Sequence, residues 1–221
     1  MKYLGFIILF ATQIIYSQDS FLKVKDSLYR EDQFYFKFTY HSFIGKKEDL
    51  VSKSIALGFN LGFLRDFPIN KKRTWAIAPG FGIGSSLGNN ISATEYVFFI
   101  NNEFQESNDF KFSYFNLELP LEIRWRDSSP EKTSFLRVYS GFKLSYLYFF
   151  ALENIENDHL NNIQYGPYIS IGYNNWNFYA YYGLNSLFAN DFSSYITGDF
   201  DQVHDLKSIK QIQAGLIFYM L

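Results

Sequence analysis

Between Phe115 and Arg126 the chain alternates, residue by residue, between two chemistries. Phe115, Leu117, Leu119, Leu121, Ile123 and Trp125 hold the odd positions; Asn116, Glu118, Pro120, Glu122, Arg124 and Arg126 hold the even ones. Successive side chains of a β-strand point to opposite faces, so this run makes a strand that is wholly apolar on one side and carries four charged groups on the other. In a soluble sandwich the apolar face would pack inward and the charges would meet water. In a membrane barrel the apolar face meets lipid and the charges enter the lumen.

The rest of the sequence favours the barrel. Turn signals and period-two alternation predict eight strands, near 33–43, 54–64, 74–86, 111–126, 134–150, 163–173, 176–188 and 208–220. The two-faced code recurs in them. Phe34, Phe36, Phe38 and Tyr40 share one face of the first strand, against Lys37, Thr39 and His41 on the other. Ile55, Leu57, Phe59, Leu61 and Phe63 oppose Ala56, Gly58, Asn60 and Gly62 in the second; Ile212, Ala214, Leu216, Phe218 and Met220 oppose Gln211, Gln213 and Gly215 in the last. Aromatic residues make up 21% of the chain, high for a soluble domain, and most of them sit in these runs. The expected fold class is all-β: an eight-stranded, antiparallel, up-and-down transmembrane β-barrel.

Glycine placement is an independent check. Gly58, Gly62, Gly80, Gly82, Gly84, Gly141, Gly166, Gly172, Gly183 and Gly215 all take inward parity, where tiny residues make room for neighbouring Arg, Lys and Tyr in a small lumen. Gly80, Gly82 and Gly84, followed by Ser85 and Ser86, superficially match a phosphate-binding loop, but no helix-forming stretch or P-loop lysine follows. Connections alternate in length: 67–73, 127–133 and 174–175 are short, whereas 44–53, 87–110, 151–162 and 189–207 are mostly longer, the asymmetry of bacterial outer-membrane barrels. Trp75, Trp125 and Trp176 flank the short connections with outward parity and are expected to form a membrane-interface belt, with Tyr40, Tyr146, Tyr148 and Phe188 as the opposite girdle.

Residues 1–17 read as a secretory signal, with Lys2, an apolar stretch at 4–15 and the small Ser17. That stretch is shorter than the roughly 20 residues a membrane-spanning helix needs. Residues 18–32 are then a short periplasmic lead-in and 33–221 the barrel. The 221 residues include no cysteine, which excludes a disulfide framework, a thiolate metal site and a lipoprotein anchor. A net charge of −2, with no basic stretch interleaved with aromatics, argues against a nucleic-acid partner.

The central hairpin, LELPLEIRWRDSSPEKTSFLRVYSGFKLSYLY at residues 117–148, resembles the PorT-like outer-membrane β-barrel family. Over the remainder the likeness is architectural: a signal peptide, eight strands and an aromatic last strand. The resemblance implies an outer-membrane barrel and, for the founding branch, a part in type IX protein secretion. It transfers no catalytic residue.

Across that hairpin, a register setting Arg124 opposite Arg137 also sets Glu122 opposite Tyr139 and Glu118 opposite Lys143. Glu118, Glu122, Arg124, Arg137 and Lys143 are expected to fill the lumen with mutually neutralising charge; the alternative use of the same residues is a narrow channel or small-ligand transporter. The long connections are acidic: Glu95, Glu103, Glu106 and Asp109; Glu153, Glu156 and Asp158; and Asp191, Asp199, Asp201 and Asp205. Their plain reading is a solvated surface. Asp199, Asp201 and Asp205 are the candidate cation-binding loop, bridging to lipopolysaccharide phosphates, although their spacing lacks the rest of an EF-hand. His159 and His204 stand beside Asp158 and Asp205, but adjacency does not make them converge on a nucleophile. His41 is expected to be a packed polar side chain, and Lys71, Lys72 and Arg73 make a basic turn at the short-connection rim. No cofactor and no enzymatic activity are expected. The expected partners are outer-membrane lipid, lipopolysaccharide and other envelope or secretion proteins.

Overall fold

The computed structural model describes residues 32–45, 50–52, 56–93, 98–100, 103–105, 109–127, 136–153, 155–189 and 208–220. The signal and lead-in expectations, and the candidate cation loop Asp199, Asp201 and Asp205 with His204, lie outside them. Eight long strands form the wall: β1 (Gln33–Ile44), β2 (Ala56–Leu64), β3 (Trp75–Ala93), β4 (Asp109–Arg126), β5 (Leu136–Glu153), β6 (Ile163–Tyr173), β7 (Trp176–Tyr182) and β8 (Lys210–Met220). Each is antiparallel to its neighbour in the chain, and β8 returns to pair with β1 from Phe34–Met220 to Ile44–Lys210. The sheet therefore closes, which removes the unpaired edges that would otherwise recruit other chains.

Period-two chemistry maps onto the two sides of this wall. Phe34, Phe38, Leu57, Phe59, Leu117, Leu119, Leu121, Ile123, Phe142, Leu144, Ile169, Ile171 and Phe178 are exposed on the outside. Lys37, Thr39, His41, Glu118, Glu122, Arg124 and Lys143 are buried inside. This inverts a soluble protein: the apolar residues of the wall face out, while Lys37, Glu118, Glu122, Arg124 and Lys143 face in. Inward glycines lie under bulky polar neighbours. A Cβ on Gly62 or Gly82 would collide with Tyr35, one on Gly84 with Asn60, and one on Gly141 with Tyr168.

Several boundaries differ from the sequence reading, for local reasons. β3 and β4 run further into the expected loop 87–110, and a short hairpin pairs Phe98–Ile100 with Glu103–Gln105. Two bulges flank β4 at one level, where two residues of β3 (Leu87 and Gly88, between Ser86 and Asn89) and two of β5 (Ala151 and Leu152, between Phe150 and Glu153) each oppose one of β4. Gly88 (φ 75°) and Ala151 (φ 52°) supply the left-handed conformations these kinks need. Beyond its bulge β3 switches inward parity from even to odd, so that Asn89 and Ile91 point in.

β7 was expected to reach residue 188 but ends at Tyr182. Past it the chain bends inward, with Leu187 N–H donating to Ile209 O at 2.9 Å. The vacated side of β6 is met by one further backbone bond, from Leu184 N–H to Tyr165 O at 2.9 Å, and by one side chain: Asn185 Oδ1 accepts from Tyr165 N–H at 3.1 Å, and its Nδ2 donates to Ile163 O at 2.7 Å. An amide here stands in for a strand, meeting the donor and acceptor that β6 would leave open.

Candidate functional site

The lumen was the expected site, and its contents fall into stacked layers. Nearest the short connections, Asp66 sits in the turn after β2 with inward parity, fully buried. Its carboxylate accepts from Arg126 Nη2 at 2.9 Å and Arg124 Nη1 at 3.3 Å. Arg137 is buried across the hairpin from Arg126. One step further in, Glu122 accepts from Arg124 Nε at 2.8 Å and from the hydroxyls of Tyr168 and Tyr219, each at 3.0 Å. The Arg124 guanidinium lies over the Tyr139 ring, 4.9 Å from its centroid.

The next layer centres on Glu118. Lys37 Nζ donates to its two oxygens at 2.9 and 3.0 Å, and the Tyr35 hydroxyl donates at 2.6 Å. Lys143 Nζ approaches Glu118 to 3.6 Å but bonds Gln213 Oε1 at 3.0 Å and rests over the Tyr181 ring at 4.0 Å. Above it, His41 lies between Thr39 Oγ1 at 2.7 Å and the Tyr114 hydroxyl at 2.8 Å, and Gln211 Nε2 also reaches that hydroxyl. Buried charges are tolerated only when paired and hydrogen-bonded, and tyrosines, amides and counter-charges surround these on several sides.

Toward the long loops the chemistry changes. Phe43, Ile91, Phe110, Phe112, Tyr114, Leu147, Phe149, Ile155, Leu160, Leu187, Phe188 and Ile209 form one buried apolar cluster. Its lid is the pair of segments 155–162 and 183–189. Leu160 bridges to Phe188, and Asn161 Nδ2 donates to Ser186 O and Phe188 O, both at 3.0 Å. Gln164 Nε2 adds a bond to Ser186 O at 3.1 Å.

Glu118, Glu122, Arg124, Arg137 and Lys143 therefore all lie in the lumen, but their partners differ from those expected. The hairpin register is shifted by two residues: Arg126 faces Arg137, Arg124 faces Tyr139, Glu122 faces Gly141, and Glu118 faces Ser145 rather than Lys143. The nearer cation to Glu118 is Lys37, which sequence reasoning placed on the inner face without joining it to the cluster. Arg126, read on the charged face of β4, was likewise not joined to the cluster, and Asp66 and Tyr35 were missed. The signal for Asp66 was the inward column Gly62, Leu64 continued by two residues.

Trp75, Trp125 and Trp176 lie on the outer side at the short-connection end; Trp75 pairs directly with Trp125, and the Trp176 ring meets Phe218 edge-on at 4.3 Å. Phe188, expected in the opposite girdle, is buried in the apolar cluster because β7 stops short and the chain turns in. His159 is likewise buried, and the segment around it is a folded turn over the lumen rather than a wholly solvated acidic loop. Glu153 pairs with Lys111 at 2.7 Å on the rim. Among the described residues, no group of His, Cys, Asp and Glu is arranged to hold a metal ion.

A closed wall with an apolar exterior and a paired-charge interior is built for a bilayer, where every backbone polar group must be satisfied within the wall. No curated protein matches the chain significantly. A family model described as outer membrane protein beta-barrel domain matches residues 16–189, most of the chain, and this protein belongs to that family.

Proposed function

We propose that this protein is a non-enzymatic barrel of the cell outer membrane that acts through its rims and wall, as an accessory or interaction component of the envelope. The filled lumen carries this reading. Between Tyr35, Lys37, Glu118, Glu122, Lys143 and Tyr179 the remaining void is about 10 Å³, room for about one water molecule. Above it the apolar cluster and its stapled lid close the mouth. A transporter or general pore needs a continuous polar path, and the described residues of the interior form two consecutive plugs of different chemistry instead.

A finer assignment, to type IX protein secretion, is supported by the likeness of residues 117–148 to PorT-like barrels. Lipopolysaccharide, membrane lipid and other envelope proteins are the partners this reading implies. Deleting the gene in its native host and quantifying the proteins of the culture medium tests it. Loss of secreted type IX cargo, restored by complementation, is the expected outcome. An unchanged secretome would overturn the secretion assignment.

A further inference from the structure

The outward column of β2 keeps its parity after the strand ends. Leu57, Phe59, Leu61 and Phe63 are continued by Arg65, Phe67 and Ile69, all exposed. The extension stays attached to β3: Arg65 N–H donates to Pro79 O at 3.0 Å, Phe67 pairs with Ile77, and Ile69 N–H donates to Trp75 O at 2.9 Å. Arg65 is thus a guanidinium on the apolar, lipid-facing wall, set deeper than the interfacial Trp75. None of the described carboxylates forms an ion pair with it. Its charged end lies over the Phe67 ring, 5.8 Å from the centroid, and so leans toward the rim, as a long cationic side chain does when it seeks the headgroup layer.

The tip beyond is a built turn. Arg73 N–H donates to Asn70 O at 3.0 Å, Asn70 Nδ2 donates to Thr74 Oγ1 at 2.8 Å, and Asn70 Oδ1 accepts from Trp75 N–H at 3.1 Å. Arg73 takes the left-handed conformation at φ 56°. These bonds hold exposed Lys71 and Lys72 at the rim directly past the tryptophan. One hairpin therefore carries four cationic residues, Arg65, Lys71, Lys72 and the turn residue Arg73, with Phe67, Ile69 and Trp75 arrayed beside them on the lipid side.

We propose that this hairpin binds an anionic glycerophospholipid, with Arg65 taking the headgroup phosphate and Lys71 and Lys72 supplying positive field at headgroup depth. Guanidinium matches phosphate geometry through its paired N–H donors. Phe67, Ile69 and Trp75 lie along the first part of the acyl chains. A free phosphate would use the cations but not this apolar array, so the occupant is a lipid.

The test uses the purified full-length protein in detergent, with native mass spectrometry after adding phosphatidylglycerol or phosphatidylcholine of identical acyl chains. Wild type is expected to retain phosphatidylglycerol in preference. Arg65→Gln and the pair Lys71→Gln with Lys72→Gln should each weaken that retention, by about fivefold for every cation removed. Lys111→Gln at the opposite rim should leave it unchanged, and heat-shifted migration on a gel verifies that each variant is folded. Equal retention of the two lipids by wild type would overturn the proposal, as would undiminished retention by Arg65→Gln. Displacement of the lipid by glycerophosphate alone would also overturn it, by revealing a site for free anions.

Discussion

Toward the short connections the lumen holds Asp66, Glu118 and Glu122 with lysine, arginine and tyrosine partners; toward the long loops it holds Phe43, Phe110, Phe112, Phe149, Leu187 and Phe188. Both halves are buried and both fill a narrow barrel, yet they depend on different parts of the chain. The polar half is contributed almost wholly by strands and is locked by closure of the wall, since Lys37 on β1 reaches Glu118 on β4 across the interior. The apolar half depends on segments 155–162 and 183–189, which are held together by a single β-bridge, with Asn161 N–H donating to Leu187 O at 2.7 Å and Ala189 N–H to His159 O at 2.8 Å, and by amide side chains, rather than by a long ladder. Breaking the first should therefore affect the whole barrel; breaking the second should loosen only its mouth.

The largest effect is expected from Glu118→Ala, which strands Lys37 and Lys143 without their carboxylate. Loss of one member of a buried ion pair costs roughly 3 to 5 kcal/mol, so the urea unfolding midpoint in detergent should fall steeply. Adding Lys143→Met should restore little, because Lys37 is the closer partner; adding Lys37→Met should restore more. An unchanged midpoint for Glu118→Ala would show that the polar half does not hold the barrel together.

Leu187→Ala removes a fully buried side chain from the apolar half and should cost about 2 to 3 kcal/mol. Here the readout is local. Amide hydrogen exchange should accelerate in 155–162 and 183–189 while β1, β4 and β8 stay protected. Uniform acceleration through the barrel would erase the distinction between the halves. Asn161→Ala deletes two side-chain bonds to backbone carbonyls and should speed exchange in the same two segments by a smaller amount, about 1 to 2 kcal/mol. Glu153→Gln is the control at the rim. Its partner Lys111 is half exposed, so the change in unfolding midpoint should correspond to less than about 1 kcal/mol and should vanish in high salt.

The same contrast explains what could be read from the sequence. Alternation in 115–126 and its counterparts identifies the strands, the two faces and the charged lumen, because in the wall the outward face is greasy and the inward face is not. In 109–114 the code reverses: Phe110, Phe112 and Tyr114 hold the inward positions and Asp109, Lys111 and Ser113 alternate with them, so alternation marks a strand there but a reading that assigns the greasy face to lipid misses the apolar plug. The hairpin register is hidden for a different reason: a slip of one residue would turn every side chain over, but a slip of two preserves each face and alters only who faces whom. Lys37 and Glu118 stand far apart in the sequence and on strands that do not pair, and the curling of the sheet into a barrel sets them face to face across the lumen. Asp66 and Arg65 fall just past the predicted end of a strand, although the inward and outward columns they extend were already visible.

Incorporation of the purified, folded protein into planar lipid bilayers, with single-channel recording under applied voltage, tests the filled lumen most directly. Two stacked plugs should pass no ions, leaving the baseline without discrete steps. Reproducible unitary steps that disappear when Glu118 or Lys143 is replaced would contradict the filled lumen and make this barrel a narrow channel.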